Sequence, residues 1–350
     1  MNKMNSVSEK RLKKSNSSYY LLLLGLFLLT IVSIMIALCA GQYDITVSDV
    51  INIALSKLKD VPKTWSDTAE SVIFTLRLPR ILGAILVGGA LALSGAAFQG
   101  VFKNPLVAPD LLGVSSGACV GAATAILWNL GSAGIQLFAF VAGILAVALT
   151  LFIPKLLRNN SMTTLVLSGV IVKGIMDSLM GIIKYMADAE TELASITYWQ
   201  MGSLTKVLMG DLKTIGPVII IAGILILLLR WRINILSLGD REAKALGIHV
   251  GMVRGIIILC ATLLTACAVC MCGTIGWVGL VIPHLGRMLV GPDNTKSIPV
   301  SIFLGAIFML LIDTLARVLT TMELPLSILT GIIGAPFYIC ILVKQRTRLS

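Results

Sequence analysis

The chain has 350 residues, of which 57% are hydrophobic and only 13% charged, yet its formal net charge is +11 and its mean hydropathy +0.95. Soluble domains are about 45–50% apolar and about 25% charged, so this composition excludes an ordinary soluble enzyme and points to an integral α-helical membrane protein. The surplus positive charge leaves nucleic acid, an anionic surface or membrane topology as its explanation.

Residues 1–18 form a basic tail. Ten apolar runs follow, at 19–40, 81–102, 110–128, 134–154, 164–183, 214–230, 253–272, 276–291, 298–319 and 326–343. A helix needs ~20 residues to cross a ~30 Å hydrocarbon core. Most runs meet this length; the third and eighth are short and interrupted by Gly or Pro. The stretch 255–290 is too long for one crossing and breaks at Gly273-Thr274-Ile275-Gly276, where glycine permits a tight turn. None of the runs alternates with period two, which excludes a β-barrel. The first run is too long for the core of a signal peptide, and Leu38 is too bulky to precede a lipoprotein-type Cys39, so it reads as an uncleaved anchor. Together these runs give one membrane domain over 19–345, with a polar loop at about 231–252 and a short tail at 346–350.

Lys and Arg set the orientation. With the amino terminus in the cytoplasm, the inner segments hold 18 basic and five acidic residues, and the outer segments nine basic and ten acidic. Three charges fall within spans: Lys173, Asp177 and Asp313. Both termini are therefore expected in the cytoplasm. The charge surplus is then a matter of topology, and nucleic acid is not needed to explain it.

Cys267, Cys270 and Cys272 cluster on the seventh span, but only His249 and His284 are available as companion imidazoles. Small, weakly polar cysteines read as packing residues in buried helices. Gly113, Gly117 and Gly121 repeat at small-xxx-small spacing, and Gly83, Gly88, Gly89 and Gly95 make a second small face on span two. Both faces suit close backbone approach, within the chain or between subunits. No G-x-x-x-x-G-K-[ST] loop, Ser-His-Asp set or H-E-x-x-H arrangement is present. Transport, conduction or scaffolding therefore remain.

The longest inner loop contains Gly239-Asp240-Arg241-Glu242-Ala243-Lys244-Ala245-Leu246-Gly247. Asp240 is expected to cap a short helix beginning at Arg241, and Gly247 to end it. Arg241 and Lys244 would face the cytoplasm, with Ala243 and Leu246 as an apolar side. Such a knob fits a partner's cleft, and a solvated linker is the alternative. So short a helix is marginal alone.

Several stretches together resemble the FecCD-type permease family, the membrane subunits of ABC importers for ferric siderophores, haem and cobalamin. They are Arg77-Leu78-Pro79-Arg80-Ile81-Leu82, Gly95-Ala96-Ala97-Phe98-Gln99, Asn104-Pro105-Leu106-Val107-Ala108-Pro109, the Gly239–Gly247 loop and Gly276-Trp277-Val278-Gly279-Leu280-Val281-Ile282-Pro283-His284. Glu323-Leu324-Pro325 and Gly334-Ala335-Pro336 match near the carboxyl end, and the similarity runs from about residue 20 to 345.

The resemblance implies a type II importer permease with ten helices in the cytoplasmic membrane of a bacterium or archaeon. A second permease subunit (a copy or a paralogue), two ATPase subunits and an outer substrate-binding protein are its implied partners. ATP and magnesium belong to the ATPase, and this chain holds no cofactor. The cargo implied is an iron chelate, first a ferric siderophore, with haem or cobalamin as alternatives. By resemblance, the Gly239–Gly247 loop is the ATPase-coupling helix, and Arg77, Arg80 and Arg317 dock the binding protein. Arg317 also stands four residues after Asp313, which allows a local pair. Asn104, Pro105 and Leu106 match the cytoplasmic gate, with Ser161, Thr163 and Thr164 as further gate residues; ordinary turns are the alternative. Lys173 and Asp177 depart from the family pattern, either neutralising each other at i,i+4 or touching cargo along the path. A different class of function, an ion-coupled secondary transporter, would use Lys173, Asp177 and Asp313 as its relay.

Overall fold

The computed structural model describes residues 2–59, 62–159 and 161–349, and among these every regular element is helical. The helices are α1 (Asn2–Cys39), α2 (Val47–Ser56), α3 (Asp67–Ser71), α4 (Leu78–Phe102), α5 (Val114–Leu127), α6 (Ser132–Leu156) and α7 (Met162–Met186). The second half holds α8 (Glu192–Met201), α9 (Met209–Leu238), α10 (Asp240–Ala245), α11 (Val250–Cys272), α12 (Val278–Val290), α13 (Asn294–Val318) and α14 (Leu326–Leu349).

Seven of the described helices are long and apolar enough to cross a membrane, rather than the ten expected. They occupy Ser17–Cys39, Asp67–Phe102, Ser132–Leu156, Met162–Met186, Met209–Leu238, Val250–Cys272 and Asn294–Val318. The third, eighth and tenth expected spans coincide with shorter apolar helices: Val114–Leu127, Val278–Val290 and Leu326–Cys340. The first two are shortened by the Gly/Pro-rich segments before them. α11 stops at Cys272 and α12 starts at Val278, so the expected break at 273–276 is present. α1 begins at Asn2 rather than near residue 19, so its helix continues back through the expected tail. The multi-pass, apolar, all-helical chain is an integral membrane protein.

α4 is the central helix, packing against α9, α11, α12 and α13. Its most apolar stretch is 83% buried, against 17% for α1. Glycine makes this possible. A Cβ on Gly95 would lie 1.8 Å from the Gly279 carbonyl oxygen, and one on Gly88 would lie 2.2 Å from that of Gly305. Backbones therefore touch where α4 meets α12 and α13, as small residues allow. Ser94 adds a buried link, its hydroxyl 2.8 Å from Ala261 O and from Thr265 Oγ1 on α11. A second group forms from α5, α6 and α7, joined to the first through α11. Here Gly117 and Gly121 face Ala142, Ala146 and the Phe138 carbonyl, so this small face packs within the chain.

A π-helical stretch, Val72–Arg77, joins α3 to α4. Pro79 follows it, offering no N–H and needing room for its ring, and the widened turn accommodates both. The amphipathic α2 was not expected from hydropathy. Its start was nevertheless legible, because Thr46 and Asp49 form a reciprocal capping box.

Gly95→Ala should abolish monodisperse protein in detergent or lower its unfolding midpoint sharply, since overpacking against backbone costs about 1–3 kcal/mol or more. Gly174→Ala, where a Cβ meets nothing within 4 Å, should match or exceed native stability, by up to ~1 kcal/mol of helix propensity. Thermal unfolding of the two variants in parallel checks the contrast.

Candidate functional site

At one end of the bundle α9 runs to Leu238 and the chain turns at Gly239 (φ 151°) into α10. That φ is one that residues with a Cβ rarely adopt, so the turn needs glycine. Gly247, at φ 78°, ends the helix as expected. One expectation fails locally. Asp240 is the first helical residue and caps nothing; its carboxylate takes Arg254 in a two-armed pair, at 2.6 and 3.2 Å. Of the expected apolar side, Leu246 is 61% exposed and Ala243 is fully buried; Leu238, at the end of α9, is 64% exposed. The hydrogen bonds from Arg254 hold the Asp240 carboxyl below its usual range, so the brace is intact at neutral pH. The exposed surface of α10 therefore combines Arg241, Glu242 and Lys244 with two leucines.

The segment after α4 begins with Lys103 in the left-handed region (φ 54°). The Asn104 side chain accepts the Leu106 N–H at 2.9 Å, closing the turn at Pro105 as expected, and Leu106 stands exposed. The chain then passes into the bundle, where a 3₁₀ turn, Pro109–Leu112, packs against α5 and α7. Ser161 caps α7, accepting the Thr164 N–H at 3.1 Å, and Thr163 is exposed. Sequence reasoning named Gln99 only within a motif and counted Arg287 among the inner loop charges. Both lie in last helical turns, Gln99 on α4 and Arg287 on α12, and the Arg287 guanidinium donates to Gln99 Oε1. The available signal was two strongly polar side chains inside apolar runs.

At the opposite end, Arg77, Arg80 and Arg317 are only 4, 7 and 6% exposed. That differs from a freely presented docking surface. Arg77 donates to the carbonyls of Leu38, Cys39 and Tyr43, and Arg317 to those of Ala37 and Ala40. Arg80 grips Asp313 through Nε, at 2.8 and 3.0 Å, and Glu323 through Nη1, at 2.9 and 2.8 Å. Arg317 Nε lies 3.4 Å from Asp313, so the local i,i+4 pair does form. The partners are remote in sequence, which hid them from a sequence reading. All three arginines and Glu323 line a cleft of about 230 Å³.

Lys173 and Asp177 are both exposed on α7, and the i,i+4 ion pair expected between them is absent from the pairs formed among the described residues. The buried stripe of α7 is instead Leu165, Ser168, Gly169, Val172, Met176 and Met180. Cys267, Cys270 and Cys272 are buried on α11, where the thiols of Cys270 and Cys272 donate to backbone carbonyls.

Asp313→Asn should cost about 3 kcal/mol, because it removes the buried carboxylate that two guanidinium groups share, leaving Arg80 with Glu323 and Arg317 with backbone carbonyls. Glu323→Gln should cost less, its side chain being partly solvated. Burial raises the Glu323 carboxyl, but the Thr205 hydroxyl and Arg80 outweigh it and hold it below the usual range. The stability it contributes is present above the ordinary carboxylate range and is lost as pH falls through its depressed value. Unfolding midpoints between pH 7 and pH 3 check both the order and the sign.

The FecCD transport family matches residues 29–344. The molybdate import system permease protein MolB of Haemophilus influenzae is 38% identical over 329 residues, covering 94% of this chain and 97% of that one. The hemin transport system permease protein HmuU of Yersinia pestis is 35% identical over 292 residues, covering 81% and 87%. A solved structure described as an inward-facing conformation of a metal-chelate type ABC transporter is also similar. It has a TM-score of 0.83 and 38% identity, with 92% of this chain and 99% of that one covered. With its fold and its motif-bearing segments all inside the matched region, this chain belongs to the FecCD transport family.

Proposed function

We propose that this chain is the permease subunit of an ATP-driven importer that carries a ferric siderophore from an outer binding protein into the cytoplasm. As a family member it is a transport subunit with no nucleotide-hydrolysing site of its own, and a separate ATPase would hold ATP and magnesium. The observation that carries the reading is α10: a six-residue helix braced by Arg254, presenting charge and two exposed leucines at one end of the bundle. It suits an ATPase cleft better than it suits a solvated linker.

On this reading the seven long helices and the three shorter ones make ten crossings, with both termini and α10 in the cytoplasm. A second permease copy or paralogue completes the path. Asn104, Pro105 and Leu106, with Ser161, Thr163 and Thr164, form the inner gate. Carboxylates of the binding protein reach Arg77, Arg80 and Arg317 through the outer cleft. The exposed Lys173 and Asp177 cannot face lipid cheaply, so they face the path. Asp313 is engaged by two arginines, which argues against its serving as a proton relay in an ion-coupled transporter. Haem and cobalamin remain alternative cargoes, and the resemblance to MolB adds an oxyanion.

The test is a proteoliposome containing the permease, its ATPase and its binding protein. It is challenged with ferric hydroxamate and catecholate siderophores, haem, cobalamin and molybdate. Cargo-stimulated ATP hydrolysis with a ferric siderophore is the expected outcome; stimulation only by another cargo reassigns the substrate, and uptake without the ATPase overturns the importer. Lys173→Ala should alter uptake about tenfold, the scale of one lost charged contact, with assembly unchanged on size-exclusion chromatography. Normal uptake by that variant would remove the path contact.

A further inference from the structure

Gln99 uses both ends of its amide with the correct polarity. Its Nε2 donates to three carbonyls, Val107 at 3.2 Å and Gly279 and Leu280 each at 3.3 Å, while its Oε1 accepts from Arg287. The side chain is 4% exposed. It therefore pins the segment that follows the Asn104–Leu106 turn to both ends of α12. Arg287 forms no ion pair among the described residues, and its guanidinium is hydrogen-bonded to this amide. A guanidinium held by a neutral acceptor is bound less firmly than one held by a carboxylate, which suits a joint that must shift.

A second connection begins at the other end of the same region. Asn234, in the last part of α9, donates to Asp293 at 2.6 Å and accepts the Asn294 N–H at 2.8 Å. Asp293, three residues beyond the last residue of α12, is the N-cap of α13, and Asn294 is the first residue of that helix. One residue from Gln99, a Cβ on Gly100 would lie 2.3 Å from Ile233 Cγ2, so α4 and α9 are also in direct contact there. α10 thus connects along the end of α9 to Asn234, by hydrogen bonds from there to Asp293 and Asn294, along the chain back to Arg287 at the end of α12, and by hydrogen bonds through Gln99 to Val107.

We propose that Gln99 and Arg287 are positioning residues that transmit displacement of α10 to the Asn104–Leu106 turn, coupling ATP hydrolysis on a partner to opening of the inner gate. The assignment rests on α10 being the ATPase contact. Neither residue touches nucleotide, so their loss uncouples hydrolysis from transport rather than stopping it. Because the two act in series, removing either breaks the same connection.

The experiment uses the assembled complex in proteoliposomes with the cargo, radiolabelled, that the native complex accumulates from the panel above. Gln99→Leu and Arg287→Met should each keep ATP turnover within about twofold of native and lower uptake per ATP about tenfold. The double variant should lose no more than either single one, the signature of a shared connection. Arg287→Lys, which keeps a donor, should recover part of the coupling. Unchanged uptake per ATP, or losses that multiply in the double variant, overturns the proposal. So does a failure of all these variants to assemble, which would mark the cluster as purely structural. A native complex whose ATP turnover drives no uptake removes the importer reading itself, which is a separate result.

Discussion

Backbone contact along α4 is the constraint on which the rest of this architecture depends. Where Gly88 meets Gly305 and Gly95 meets Gly279, a single added methyl would overlap a carbonyl group. In lipid, helices gain little from hydrophobic exclusion, because the solvent is as apolar as the side chains; close packing and internal hydrogen bonding must supply the association. α4 gathers α9, α11, α12 and α13 around one axis by removing side chains at the crossings. The chain has few aromatics and many glycines for this reason.

The buried ion pairs and amide contacts join elements that sequence keeps far apart. Arg80 and Asp313 are 233 residues apart, and Arg287 and Gln99 188. The cluster around Arg80 uses full ion pairs and ties α4 to α13 and the following loop. At the other end Arg287 is held by an amide in place of a carboxylate, while Arg254 and Asp240 form the ion pair that braces α10.

Hydropathy made the membrane segments legible, because ~20 consecutive apolar residues have few other fates. Gly247 likewise marked the end of α10, since a short helix needs such punctuation. What the sequence hid were partners at long range. Asp240 lies one residue inside the helix rather than at its cap, and its carboxylate pairs instead with Arg254, fourteen residues on. Lys173 and Asp177 had the spacing of a pair, yet spacing alone does not choose rotamers, and both extend from the exposed side of α7. The outer arginines were legible as exceptions to the charge rule. Their burial was not, because backbone carbonyls at the end of α1 leave no trace in composition. The short α2 and α8 escaped because each has only 10 residues, too few to resemble a span.

The end of α1 has a consequence for the order in which the molecule is built. Its last carbonyls, from Ala37 to Ala40, receive their donors from Arg77 and from Arg317. Arg77 follows within 40 residues, but Arg317 is synthesised about 280 residues later. The end of α1 is thus completed by a helix made some 280 residues later, and until then its carbonyls must find other donors. Assembly closes like a clasp, with two distant segments of the chain fastening each other.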